Sequence, residues 1–368
     1  MGPDPMAKHS PQGGGAPRRA GAALLVLALL LAGCADFTKP RLRAGSVPHP
    51  GPLSLYSIAD PQNLGTHRYQ GLDAPFVERT RGLIYTDRAG LLDLAHVRMT
   101  IDWSWYHYHR AHHALVEAKA PAHSDDWLVL PTSKPSRIHV QFDHAAIARA
   151  RLDPTAVDEL AFRIGQKLAW YAGTWHEMAQ WHGYRSTGFF SELDSAFTHD
   201  DTTSHLIGLY VVDAVWRQRH EPDFDYDQAV TEALDELLAE LGATDPSTTR
   251  EKVLRMHGRW WDYSGTLRRH LEQWTDRGEL RPWLAAEEPG GPGRWGEPMP
   301  LPRWDSAGLA LDEVTRIRFE ANIWEADDLA ASARTDEPLI CPRRHFPRIK
   351  EAVREQMIAR FGSEADQP

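Results

Sequence analysis

Apolar residues recur at three- and four-residue spacing through Val157, Leu160, Ala161, Ile164, Leu168, Tyr171, Ala172 and Trp175. That is the period of a helix with one buried stripe. Asp153 offers an N-cap, Pro154 the favoured first helical position, and Gly183 the residue just past the end. The pattern predicts a helix from Pro154 to Trp181. Weaker helical patterns run from Asp102 to Lys119, His199 to Arg217, Tyr226 to Leu241, Ser247 to His257 and Thr266 to Thr275. A last one, from Pro347 to Phe361, aligns Ile349, Val353, Met357 and Phe361 on one face. Residues 53–100 alternate short apolar runs with turn residues, which predicts small strands and loops. Trp127–Leu130 and Ile138–Phe142 flank a Pro-containing turn as a β-hairpin. The expected fold class is mainly α with a small β component (α+β), in one helix-rich globular domain.

The N-terminus follows a different pattern. Lys8, Arg18 and Arg19 precede a purely apolar run, Gly21 to Leu31, shorter than the about 18–20 residues of a bilayer span. Leu31-Ala32-Gly33-Cys34 resembles the lipobox of bacterial lipoproteins. The resemblance implies cleavage before Cys34, lipid on its thiol and acylation of the new amino terminus, two signals that together anchor stably. Alternatives are an ordinary secretory signal with a chance cysteine, or a buried helix. Ala35 in place of an aspartate resembles the outer-membrane sorting class, so the expected location is the outer membrane, facing the periplasm. The expected organisation is a signal peptide over 1–33, a lipidated tether over 34–52 and a main helical domain over 53–285. A Pro/Gly-rich loop over 286–306 and a C-terminal extension over 307–368, packed on the main domain, complete it.

Removing residues 1–33 takes away Asp4 against Lys8, Arg18 and Arg19, moving the formal charge from −10 to −12. An acidic body argues against nucleic acid as a partner and against a polybasic membrane patch. With Cys34 used for lipid, Cys341 stands alone, which excludes a disulfide within the chain and suggests a buried or inert thiol.

Candidate chemistry concentrates between Trp175 and Gly208. His176 and Glu177 come late in the long helix, followed by Glu192, Asp194, Asp200, Asp201 and His205. Such groups are costly beside apolar surface unless paired or metal-bound. His176 and Gln180 point the same way on a helix, and Ala172, Gly173, Ala169 and Gly165 below them leave room for another segment. HExxQ lacks the second histidine of the HExxH zinc motif, and His182 lies about 120° round from His176. A metal would therefore draw ligands from several segments. The candidate set is His96, His176, Glu192 and Asp201, for zinc or another divalent metal, with Glu177 as catalytic base. His205 shares a face with Asp201, while Asp200 and Asp201 also suit a helix first turn as acids. The alternative is a structural ion-pair network between two helices, joined by Arg163 or Arg185. Asp93 and His96 sit among apolar residues and need partners, possible ones being each other. His109 and His113 are spaced for chelation but fit a solvated face. Gly183–Gly188 has the wrong spacing for a nucleophile elbow around Ser186. The tryptophans, among them Trp103/Trp105 and Trp260/Trp261, suit a glycan platform or a core.

The ordered segments GLIYTDRAGLLDLAHVR, TWHEMAQWHGYRSTGFFSELDSAF and DDTTSHLIG resemble a family of bacterial envelope lipoproteins classed as a domain of unknown function, over roughly residues 55–280. The resemblance implies that His96, His176, Glu177, Glu192, Ser195, Asp201, Ser204 and Gly208 fall on the family pattern. Gln180, His182 and His205 depart from it, where a hydroxyl, an aromatic and an asparagine are more usual. It implies positions and no mechanism. Two functional expectations follow: a metal-dependent hydrolase of an envelope polymer or peptide, or a non-catalytic envelope lipoprotein that binds a partner or glycan.

Overall fold

The computed structural model describes residues 43, 45–46, 48–50, 56–67, 82–117, 128–131, 136–185, 192–271 and 278–368. The expected leader and Cys34 lie outside the described residues. Strands β1 (Leu83–Thr86) and β2 (Gly90–Asp93) form an antiparallel hairpin with Leu83 opposite Asp93. Gly90 has φ +72°, and a Cβ there would lie 2.0 Å from the Trp283 carbonyl oxygen, so only glycine fits. β2 runs directly into α1 (Leu94–Glu117), whose start is capped by Asp93 Oδ1 accepting from the Ala95 amide at 2.9 Å.

The helix thus begins at Leu94, not at the expected Asp102. Leu94, Ala95, Val97, Ile101, Arg98 and Asp102 are all buried. With charged Arg98 and Asp102 buried alongside the apolar residues, the first turns have no clean polar stripe and carry no readable period.

Next come α2 (His144–Ala150), α3 (Pro154–Trp181), α4 (Asp201–Gln218), α5 (Tyr226–Glu240) and α6 (Pro246–Arg255). Asp153 caps α3 by accepting from the Ala156 amide at 2.9 Å, as its position predicts. The small residues predicted on α3 do admit a neighbour. A Cβ on Gly165 would lie 2.6 Å from the Tyr108 amide nitrogen, and one on Gly208 of α4 would lie 2.7 Å from Thr100 Cβ and the Val97 carbonyl. Both α3 and α4 therefore press their backbones against α1.

The expected hairpin forms as β3 (Leu128–Pro131) and β4 (Arg137–Phe142), but it belongs to a larger sheet. After α7 (Leu311–Val314), strand β5 (Thr315–Glu320) pairs antiparallel with β4, Thr315 opposite Phe142. β6 (Leu339–Ile340), which follows α8 (Ala326–Ala333), completes the order β6-β5-β4-β3. The C-terminal helix α9 spans Pro342–Phe361. It starts at Pro342 because that proline takes the first helical position, leaving Pro347 inside the helix at the loss of one amide donor. Phe319 and Phe346 stack on Trp175 at 5.1 and 6.3 Å, and Trp181 Nε1 donates to Gln356 Oε1 at 2.7 Å. These contacts fix the end of α3.

The predicted helix at Thr266–Thr275 does not form over its described part. The amides of Leu267, Arg269 and His270 donate instead to Trp260, Ala365 and Phe197 carbonyls. The Pro-rich stretch is mainly loop, stitched by two-residue pairings of Trp283 with Trp295 and Met299 with Leu280. Trp103, Trp105, Trp260 and Trp261 are buried, so these pairs offer no open platform. His109 and His113 are exposed on α1. Among the described residues no helix is long and apolar enough to cross a membrane.

Candidate metal centre

Three helices and one strand end meet around a buried polar cluster. β2 delivers Asp93 and the first turn of α1 delivers His96. The last turns of α3 deliver His176 and Glu177, and the start of α4 delivers Asp200, Asp201 and His205. Ser204 rivets two of these pieces: its Oγ donates to the Asp200 carbonyl at 2.6 Å and accepts from the Asp93 amide at 2.8 Å. Asp93, His96 and Asp200 consequently each offer a ligand atom within 4.8 Å of one another, a triad that could hold a metal ion.

His96 Nδ1 lies 2.9 Å from Asp201 Oδ1 and 3.5 Å from Asp93 Oδ2. The shorter contact is the stronger, and Asp201 acts on His96 through both charge and its side chain. Asp201 Oδ2 is held by the Thr198 amide at 3.0 Å and the Thr198 hydroxyl at 2.7 Å. Asp93 Oδ2 accepts from the Ser46 amide at 2.7 Å. Glu177 Oε2 accepts from the Phe197 amide at 2.7 Å, while Glu177 Oε1 and both Asp200 oxygens are buried with no hydrogen-bond partner. His205 Nδ1 bonds Thr100 Oγ1 at 2.7 Å and leaves Nε2 unpartnered. Its ring lies 5.4 Å from that of His96 and packs on Gly173, where a Cβ would come within 2.9 Å of it.

His176 and Gln180 share a face as their spacing predicts. Gln180 Nε2 donates to His176 Nε2 at 2.9 Å and to Glu192 Oε2 at 3.0 Å. Ser195 Oγ donates to the Glu192 carbonyl at 2.8 Å. Arg269 and Thr266 hold the Asp194 carbonyl at 3.1 and 2.7 Å. This bracing leads to Phe197, a non-glycine residue at φ +56°, a conformation costing on the order of 1–3 kcal/mol. The strain aims its amide at Glu177.

The electrostatics are lopsided. Asp93, Glu177, Asp200 and Asp201 are all at most 2% exposed. Burial opposes a charge on His96, but Asp201 and then Asp93 outweigh it and raise its pKa to about 10. Burial likewise pushes Asp201 upward, yet the His96 charge pulls it down to about 2. Glu177 and Asp200 rise well above the usual carboxylate range, first through burial and then through the Asp201 charge. Burial also lowers His205, to about 3, and His176. One cationic imidazole therefore faces four buried acids.

Of the residues expected at the site, His96 and Asp201 meet directly, with Asp93 beside them and Glu177 close enough to feel Asp201. His176 and Glu192 join through Gln180, and Ser195 and Ser204 brace the backbone. The converging triad shares His96 with the expected ligand set and adds Asp93 and Asp200. Asp200 belongs to the polar run of the sequence but not to the expected ligand set. Its signal is a second acid beside Asp201 at the head of a helix whose later turns are apolar. Arg163, expected as a partner in a structural network, is engaged by Asp213 at 2.7 Å, and Arg185 is exposed.

Part of the 34–52 stretch lies on this centre. Arg43 pairs with Asp102 at 3.2 Å, and Arg43, Ser46 and His49 are buried. A Cβ on Gly45 would sit 3.1 Å from both His96 Nε2 and Asp93 Oδ2. No curated protein and no solved structure matches the chain. A family model described as a protein of unknown function, DUF4056, matches residues 28–271, and the chain belongs to that family.

Proposed function

We propose that Asp93, His96 and Asp200 bind a divalent metal ion and that the protein is a metal-dependent hydrolase of an envelope peptide or polymer, tethered to the membrane through lipidated Cys34. The observation that carries this reading is Asp200, fully buried beside Asp93 and His96 with neither carboxylate oxygen in a well-directed hydrogen bond. A buried carboxylate with no more than the Thr198 side chain beside it as donor is expensive, and a cation is a partner that satisfies it. Two carboxylates and one imidazole suit zinc, and also iron or manganese. A bound cation would supply Lewis acidity and activate water.

The chain's own groups do the rest. Asp201 holds the His96 ring in place, as outer partners of metal-binding imidazoles do. The Phe197 amide fixes one oxygen of Glu177 and leaves Oε1 to accept a proton. His96, with 14% of its side chain exposed, and the half-buried His176 are the least covered members of the centre, beside the segment around Gly45 that lies over it. The near-complete burial of the acids favours a second reading, a non-catalytic envelope protein in which Glu177 and Asp200 stay protonated and structural.

Metal analysis of the purified full-length protein separates the two. The hydrolase reading expects about one equivalent of zinc, iron or manganese. It expects that metal to be lost in His96→Ala and Asp200→Asn, with the helical circular dichroism unchanged. Glu177→Gln should keep the metal while hydrolysis of peptide or peptidoglycan substrates falls about 10²-fold or more. A metal-free wild type that gains thermal stability from Asp200→Asn supports the structural reading.

A further inference from the structure

Away from this centre, a cleft of about 550 Å³ opens between two walls. One wall is the turn carrying Arg259 together with Arg268. The other is the end of α9, with Arg360, Ser363 and Glu364. Three arginines thus line one concavity on a chain whose net charge is −10. Arg268 is committed within the protein, to Glu364 at 2.7 Å and to the Pro368 carbonyl at 3.0 Å. Among the described residues Arg259 uses only its Nε, on the Gly290 carbonyl at 3.3 Å. Arg360 stacks over Phe361 at 5.0 Å, and among the described residues it makes no hydrogen bond or ion pair. The buried Arg269 lies near enough behind the wall to feel the charge of Arg360. Gly258 and Gly362, both at positive φ, would carry a Cβ into open space, so the mouth is unobstructed.

The donors left over set the ligand chemistry. Guanidinium forks match planar or tetrahedral oxyanions bidentately. Two unspent forks and the Ser363 hydroxyl offer more donors than the two oxygens of a carboxylate can use, whereas a terminal phosphate presents three strong acceptors and nearly two charges. The volume falls within the about 300–1,000 Å³ range of small-molecule sites, leaving room for what the phosphate is attached to.

We infer that this cleft binds a phosphomonoester or pyrophosphate group through Arg259, Arg360 and Ser363. None of its lining residues belongs to the metal centre. One wall lies within the residues matched by the family model and the other beyond them, so binding requires the C-terminal helix.

Calorimetry on the full-length protein tests this, with chelator present so that phosphate at a metal is not measured. The probes are pyrophosphate, glucose 1-phosphate, and phosphatidylcholine vesicles with and without phosphatidic acid. Saturable binding of at least one phosphate probe is expected, weakening with salt and falling about tenfold or more in Arg360→Glu and Arg259→Glu. Asp200→Asn should bind as wild type, and Arg303→Glu serves as a control for surface charge. Binding to the acidic vesicles alone identifies a lipid headgroup as the source, and binding to the soluble probes identifies a free phosphate ester. Absence of saturable binding to every probe overturns the inference. So does binding that survives both charge reversals, or acetate binding as tightly as phosphate.

Discussion

The His205 imidazole fills a slot that only a missing side chain leaves open. Gly173 of α3 faces the ring so closely that a Cβ would lie 2.9 Å from two of its atoms. Gly173→Val should destabilise the protein by about 1–3 kcal/mol through overpacking, read as a lower midpoint in thermal unfolding. Removing the ring should remove most of that penalty, so the double variant Gly173→Val/His205→Ala is expected to lose less than the sum of its parts. At this scale the sequence was most informative where a residue type is chemically conspicuous. His96, His176, Glu177 and Asp201 stand out as ionisable groups among apolar neighbours. The poorly partnered oxygens of Asp200 could not be read, because an acid in a helix first turn already has a sufficient local explanation.

Element by element, legibility tracked exposure and distance along the chain. α5 and α6 keep an exposed polar face, so their apolar period shows through to within a few residues of the observed bounds, and α3, though mostly buried, is marked at its start by the Asp153 cap and Pro154. The first turns of α1 are buried apart from His96 and Met99 and show none. The pairing of β4 with β5 joins segments far apart in the chain, and no local pattern encodes it. That pairing nevertheless positions the centre, since Phe319 of β5 stacks on Trp175, the residue before His176. Phe319→Ala is expected to cost about 3–5 kcal/mol, measured by denaturant unfolding. It should also loosen the end of α3, which faster amide exchange over residues 174–181 would report.

The whole molecule carries an unusual set of buried imidazoles, and they shape its response to pH. Burial lowers His67 to about 4, and His107, His199 and His270 to about 3. Each is depressed below its unfolded value near 6.5, so the stability it contributes is present above that pH and is lost as pH falls toward the folded value. His96, Glu177 and Asp200 act in the opposite window. Their folded pKa values are raised, so their contribution is full below the unfolded values and is lost as pH rises through the raised ones. Metal-free protein should therefore show a calorimetric melting maximum near neutrality, declining both toward pH 4 and toward pH 9. Added zinc or manganese should abolish the alkaline decline, because metal binding demands the deprotonated ligands. A flat profile between pH 4 and 6.5 would contradict the buried neutral imidazoles.

The docked segment around Gly45 sets a boundary for anyone trimming the chain to a crystallisable core. A version beginning at the first hairpin would strip Arg43 from Asp102 and the Ser46 amide from Asp93. It would also unroof the His96 ring. Its behaviour would then describe a damaged molecule, so a faithful short form has to begin upstream of Arg43.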